Sequence, residues 1–169
     1  MRLITSEVAS PIGALALAVD EGGRLRGVSF GDGLWRAMAR EYPGVVLAEG
    51  AAPEAVTGAL ADYFAGDRRA LMRIDWALDG SVAGEGFQAR VWRSLWEVPA
   101  GQTISYGEMA RRAGEPGAAQ AAGVALNRNP IPLVLACHRV VGADGAMVGF
   151  GGGLERKTWL LRHEGALLI

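Results

Sequence analysis

Asn129-Pro130-Ile131-Pro132-Leu133-Val134-Leu135-Ala136-Cys137-His138-Arg139-Val140-Val141 is the stretch on which the reading turns. Each of its two prolines fixes its own φ and restricts the residue before it, so the approach to Cys137 is stiff. Cys137 is the chain's single cysteine, and it is followed at once by one of two histidines, His138; the other is His163. An internal disulfide is therefore excluded, and no Cys/His cluster is spaced for a structural zinc. Any cysteine chemistry here is solitary. A free cysteine by itself is commonly an inert, buried small hydrophobe, so the surrounding sequence has to decide.

Upstream, Ser105 is placed to cap a short helix, with Glu108 three residues on as a capping box requires and Tyr106 in the first turn. That helix runs through Arg112 and breaks at Gly114-Glu115-Pro116-Gly117. Ala118 to Leu126 then forms an Ala-rich run of strong helix formers. Two short helices about a Gly-containing break read as a helix-turn-helix. The small side chains of Ala118, Ala119, Ala121, Ala122, Gly123 and Ala125 would let the second helix approach a nucleic-acid groove closely, although tight helix packing uses small residues for the same reason. Arg111, Arg112 and Arg128 flank the pair and are candidates for phosphate contacts. Further back, Phe87, Val91 and Leu95 recur at helical spacing, with Trp92 and Trp96 widening the stripe, and predict a core helix.

The first half reads differently. Arg2 to Val8, Ala14 to Val19 and Leu25 to Phe30 are short β-type runs separated by turn residues, which predicts a hairpin-rich sheet. Pro53 to Phe64 carries Val56, Leu60 and Tyr63 at helical spacing, and this helix is expected to cover one face of the sheet. No nucleophile, base and orienting group come together here, so this half reads as structural support. The Gly-rich stretch Asp79 to Gly86 marks the boundary, giving domains 1–80 and 81–169. With 169 residues, 50% of them apolar, the chain can bury a real core. A net charge of −1 means that any affinity for nucleic acid comes from a local patch rather than a global field. No apolar run is long enough to span a bilayer and the N-terminus does not read as a signal peptide, so no membrane partner is expected and the location is read as cytoplasmic.

Taken in order, Ser105-Tyr106-Gly107-Glu108, the Asn129-Pro130 step, Cys137-His138-Arg139-Val140-Val141, Gly151-Gly152-Gly153-Leu154 and His163-Glu164-Gly165 resemble the O6-alkylguanine-DNA alkyltransferase family, also called methylated-DNA–protein-cysteine methyltransferases. The likeness spans nearly all of the second half. Ser10-Pro11-Ile12-Gly13 and Gly27-Val28-Ser29-Phe30 also look like the family's N-terminal domain, less distinctively. The resemblance implies an α+β fold: an N-terminal α/β domain with a small antiparallel sheet, and a mostly helical C-terminal domain with a helix-turn-helix of winged-helix type. It implies DNA repair by a single-turnover methyltransferase that moves the alkyl group from O6-alkylguanine in DNA onto Cys137. The implied partner is double-stranded DNA carrying that lesion, with O4-alkylthymine left open, and the protein is expected to be a monomer with no cofactor and no metal.

The residue types suit that chemistry. Displacement at an alkyl carbon needs a soft nucleophile, which a thiolate is, and an ordinary thiol needs a base to ionise it at neutral pH. His138 is the candidate base, acting through a water because adjacent residues seldom point the same way. By the resemblance Glu164 orients His138, Asn129 braces the turn before the nucleophile, and Tyr106 contacts the backbone phosphate and assists departure of the guanine. Backbone N–H groups near Gly151 would face the guanine oxygen, and the carbonyls of Cys137 and Val140 would accept from its exocyclic amine. Ala118, Ala119, Gln120, Arg128 and Arg139 complete the expected DNA-binding set. A base stacked in a duplex has to be flipped out to reach such a pocket.

Three positions depart from the family pattern. Gln120 stands where an arginine usually fills the gap left by the flipped nucleotide, which gives up cationic stacking and predicts weaker extrusion. Ala136 replaces the usual proline, and Gly151 stands where some relatives have serine. A lesion-binding sensor with weak or no transfer is therefore the alternative reading. A helix-turn-helix regulator would need a basic recognition helix, and a cysteine hydrolase would regenerate its thiol, which a thioether does not allow.

Overall fold

The computed structural model describes residues 1–147 and 149–167. They form two compact units, Met1–Gly84 and Glu85–Ile169. The divide thus falls inside the Gly-rich stretch, at Gly84 rather than at residue 80.

In the first unit β1 (Arg2–Val8), β2 (Leu15–Asp20) and β3 (Leu25–Ser29) are followed by α1 (Leu34–Glu41), β4 (Val46–Glu49) and α2 (Glu54–Phe64). The sheet order is β3-β2-β1-β4. The three strands foreseen from sequence pair antiparallel, from Leu3↔Asp20 to Val8↔Leu15 and from Ala16↔Ser29 to Val19↔Leu25. The fourth strand corrects the expected antiparallel sheet to a mixed one: Val46–Glu49 lies parallel to β1, from Arg2↔Val46 to Thr5↔Glu49. A parallel partner needs a crossover, and α1 lies in it. Gly27 makes the close packing of α1 possible. A Cβ there would come within 2.5 Å of Met38 Cε, so the missing side chain lets the helix lie directly on β3. Leu3, Ala18, Leu34, Met38, Tyr42 and Val45 fill that layer. Helix α1 packs on β2 and β3, covering the face that carries Ala16 and Ala18, and α2 packs on the 3-10 turn Ala70–Arg73. Buried Arg26 holds the end of this unit, donating from Nε to Asp20 at 2.9 Å and from Nη2 to Asp79 at 3.1 Å.

The second unit is mostly helical, and it runs α3 (Phe87–Leu95), β5 (Ile104–Ser105), α4 (Tyr106–Arg112), α5 (Ala119–Asn127), β6 (Val140–Val141) and α6 (Leu154–His163). Helix α3 is the core helix its spacing predicts, burying Ala89, Val91, Trp92 and Leu95. Trp92 acts as a buried tie, since its indole Nε1 donates to Ala125 O at 2.7 Å and joins α3 to α5. Helix α4 starts as foreseen, with Ser105 Oγ accepting from Glu108 N at 3.1 Å. The reciprocal half of the box is absent, because the Glu108 carboxylate instead accepts from Arg111 Nε at 2.8 Å and Arg112 Nε at 3.1 Å. Gly114 and Gly117, at φ 90° and 87°, make the break that turns α4 into α5. The strands β5 and β6 form a two-residue parallel ladder, Ile104↔Val140 and Ser105↔Val141. This ladder fixes the start of α4 beside the chain leaving Cys137.

Candidate active site

The segment between α5 and β6 is built to hold one thiol. Asn129 folds back over it: its Oδ1 accepts from Ile131 N at 3.0 Å and its Nδ2 donates to Leu135 O at 2.6 Å, the bracing expected of it. Leu133 is buried at φ 76°, a left-handed conformation that costs a branched side chain energy and persists only where the surroundings over-determine it. Ala136, at φ −78° and ψ 69°, makes a tight three-residue turn closed by Cys137 N donating to Leu135 O at 2.8 Å. Its φ is one that proline adopts, so the alanine leaves this turn's shape intact. The chain then enters the 3-10 turn Cys137–Arg139, all three of whose residues are buried.

Burial pushes the Cys137 thiol up to about 11, although the Asn129 amide, the Lys157 charge and the backbone N–H groups of Cys137 and His138 pull the other way. The resting group is a protonated thiol set among donors that favour its anion. His138 is fully buried and bonds through Nε2 to Glu164 Oε2 at 2.8 Å. Burial pushes the Glu164 carboxyl up, but His138 and Arg139 outweigh it and hold it well below the usual carboxylate range. Glu164 is therefore ionised, it can only accept, and His138 carries its proton on Nε2. That assigns the lone pair to Nδ1, which is buried and has no hydrogen-bond partner among the described residues. Burial lowers the His138 pKa, with Glu164 opposing and Arg139 and Lys157 reinforcing, so the ring is neutral at pH 7. The Phe150 ring meets it edge to face, with centroids 6.4 Å apart.

Glu164 falls just past α6 because the buried stripe Lys157, Leu160, Leu161, Glu164 follows the helical period and carries it to the His138 side. Sequence reasoning missed Lys157, which is wholly buried and donates from Nζ to Val140 O at 2.7 Å and Gly149 O at 3.2 Å. The signal was its place on that stripe, three and four residues before two leucines. Burial lowers its pKa and Cys137 opposes the shift. Tyr106 is half-buried at the start of α4. Burial raises its pKa, and ionisation of Cys137 would raise it further, so it keeps its phenolic proton. A Cβ on Gly149 would lie 3.6 Å from Tyr106 Oη, and one on Gly123 3.8 Å from its ring, which puts Tyr106 between α5 and the loop before α6.

The remaining expected residues divide by exposure. Gln120 and Arg128 are exposed at the two ends of α5, while Ala118 and Ala119 are half-buried at its start. Gly151 is exposed, with open space where its Cβ would be. Val140 is buried. Its N–H donates to Cys137 O and its own carbonyl takes the Lys157 bond, which leaves each carbonyl a second lone pair. Arg139, expected at the DNA, requires correction. Its Nε and Nη2 each donate to Glu164 at 2.9 Å and its Nη1 donates to Val98 O, so its guanidinium is committed to the interior. Arg111 and Arg112 are exposed and paired with Glu108, whose carboxyl they hold down to about 2. Exposed pairs of this kind are weak.

Comparison with known proteins places the chain in one family. The family described as 6-O-methylguanine DNA methyltransferase, DNA binding domain, matches residues 86–166, which include Cys137, His138 and Glu164. A methylated-DNA–protein-cysteine methyltransferase of Salmonella typhimurium is 40% identical over 174 residues, covering 100% of this chain and 99% of its own. One from Mycobacterium leprae is 43% identical over 155 residues, covering 92% and 88%. Among solved structures, Mycobacterium tuberculosis OGT in complex with DNA matches with a TM-score of 0.73 at 36% identity, over 98% of this chain and 93% of that one. The likeness runs the whole length, through the sheet unit as well as the segment that holds the thiol, and so the chain belongs to the methylated-DNA–protein-cysteine methyltransferase family.

Proposed function

We propose that this protein repairs alkylated DNA by transferring the alkyl group of O6-alkylguanine, once and irreversibly, to Cys137. The observation that carries the reading is His138: its Nε2 is held by ionised Glu164, and its Nδ1 is left as a buried acceptor one residue from the only cysteine. A base poised in this way suits a thiol that burial keeps protonated. As substrate enters, the thiol proton passes through a water to Nδ1. The sulfur–carbon bond then forms as the carbon–oxygen bond breaks, and the electron pair stays on the guanine. Tyr106, which keeps its proton, supplies one to the departing base, and the exposed backbone around Gly151 offers donors to the oxygen where charge grows. The product is a thioether, which gives water no acyl carbon to attack.

The partner is double-stranded DNA. In this reading α5 is the recognition helix of a winged helix-turn-helix, with Ala118 and Ala119 allowing close approach, Gln120 entering the gap left by a flipped base and Arg128 on phosphate. Residues 1–84 support the unit that does the chemistry, and the protein acts as a monomer in the cytoplasm. Among the described residues no helix is long and apolar enough to cross a membrane. Intact mass spectrometry after incubation with an O6-methylguanine duplex tests the proposal. A gain of one methylene in wild type and none in Cys137→Ser supports transfer, whereas tight lesion binding without a mass change would replace it with the sensor reading.

A further inference from the structure

Arg139 is spent inside the protein. Its Nε donates to Glu164 Oε1 and its Nη2 to Oε2, at 2.9 Å each, the bidentate geometry that guanidinium and carboxylate share. The same Oε2 accepts from His138 Nε2 at 2.8 Å. Its Nη1 bonds the Val98 carbonyl, just beyond α3, which fixes the fork in place. Resting on the alkyl-transfer reading above, we infer that Arg139 is a positioning residue for that reaction: by neutralising Glu164 it keeps His138 uncharged, with the proton on Nε2 and the lone pair on Nδ1.

The reason lies in where an added proton would go. A buried carboxylate with no cation beside it recruits a proton onto itself or its partner, because desolvation penalises the bare anion. On the pair Glu164–His138 that proton has two places. It makes an imidazolium, or it sits on Glu164 and donates to Nε2, which forces the ring's own proton onto Nδ1. Nδ1 carries hydrogen in both microstates and can no longer accept from the thiol. With Arg139 in its fork the carboxylate charge is matched and the pair stays one proton lighter. The other groups facing His138 do not undo this. Lys157, from α6, disfavours a second positive charge, and Cys137, on the same turn, is a neutral thiol at rest, as is the phenol of Tyr106 near it.

The test measures single-turnover transfer to an O6-methylguanine duplex at about pH 6.5 and about pH 8.5, with the Cys137 label read by mass. In Arg139→Gln the ratio of the rate at the higher pH to that at the lower should rise about tenfold over wild type, because the base is blocked on the acid side. Arg139→Lys restores the charge and should bring the ratio back to within about twofold of wild type. An equal proportional loss at both pH values in Arg139→Gln means that Arg139 is only structural and overturns the inference, while the label on Cys137 leaves the transfer reading standing. An absent label in wild type overturns both. Should Arg139→Gln fail to fold, wild type decides: the chain has only two histidines, so long-range 15N spectra resolve each ring. His138 must then appear as the neutral Nε2–H tautomer at about pH 7, and an imidazolium or the Nδ1–H form overturns the inference.

Discussion

Raising the pH should destabilise this protein in part through one buried sulfur. Burial lifts the Cys137 thiol from an ordinary 9 to about 11. A raised pKa on an acid means that the folded state keeps a proton the unfolded state releases. The stabilisation is therefore present below about pH 9 and lost as pH rises towards 11. At pH 10 the unfolded thiol is about nine-tenths ionised and the folded one about a tenth, a difference of about 1.4 kcal/mol that is close to zero at pH 8. Other groups titrate in the same range. Tyr42 and Tyr106 are raised and Lys157 is lowered, so wild type alone does not isolate the effect. The comparison with Cys137→Ser isolates the thiol together with its coupling to Tyr106 and Lys157, because serine does not ionise there and the groups that do not face Cys137 cancel. Urea unfolding of both proteins at about pH 8 and about pH 10 should show wild type losing about 1.4 kcal/mol more than the serine variant. Equal losses would refute the account of the thiol as a desolvated, protonated group. The consequence for chemistry is direct. With a pKa of about 11, about one thiol in ten thousand is ionised at pH 7, so deprotonation has to accompany substrate approach.

Two further substitutions probe the surroundings. Asn129→Ala removes the bonds to Ile131 N and Leu135 O and leaves the N–H of fully buried Ile131 unpaired, which should cost about 2–4 kcal/mol in chemical denaturation; transfer should slow about tenfold with the loss of a donor to the thiolate. Gln120→Arg, on the exposed start of α5, should leave stability within about 0.5 kcal/mol while tightening lesion binding or speeding transfer, and unchanged values for both would refute the role given to position 120.

What the sequence made legible was what local chemistry controls. Ser105 caps α4 because a hydroxyl there has an N–H within reach, and Asn129 braces its turn because a side chain two residues before Ile131 N and six before Leu135 O spans both. The spacing of Val91, Trp92 and Leu95 marks a buried stripe in any helix. Most of the errors concern partners distant in sequence, and one concerns competition within a single helix. Val46–Glu49 is short, half exposed and not alternating, and only its pairing with β1 makes it a strand. Glu108 carries the capping-box signature, yet two arginines on its own helix outcompete the N-cap N–H. Arg139 follows Cys137-His138 and reads as a surface cation. Nothing nearby in the chain reveals that Glu164, 25 positions on, will take its fork. Lys157 stands among Glu155, Arg156 and Arg162 and reads as part of a solvated face until the burial of Leu160 and Leu161 shows which side of α6 it shares.

Cys137 is a stoichiometric acceptor if the proposed transfer is right, and counting turnovers tests that most directly. Wild-type protein is mixed with a several-fold excess of O6-methylguanine duplex, and repaired DNA and the Cys137 peptide are measured over time. Repair should stop at one lesion per protein molecule, with one methyl group on Cys137 and none released. Repair that continues past one equivalent, or repair with Cys137 unmodified, would contradict the account.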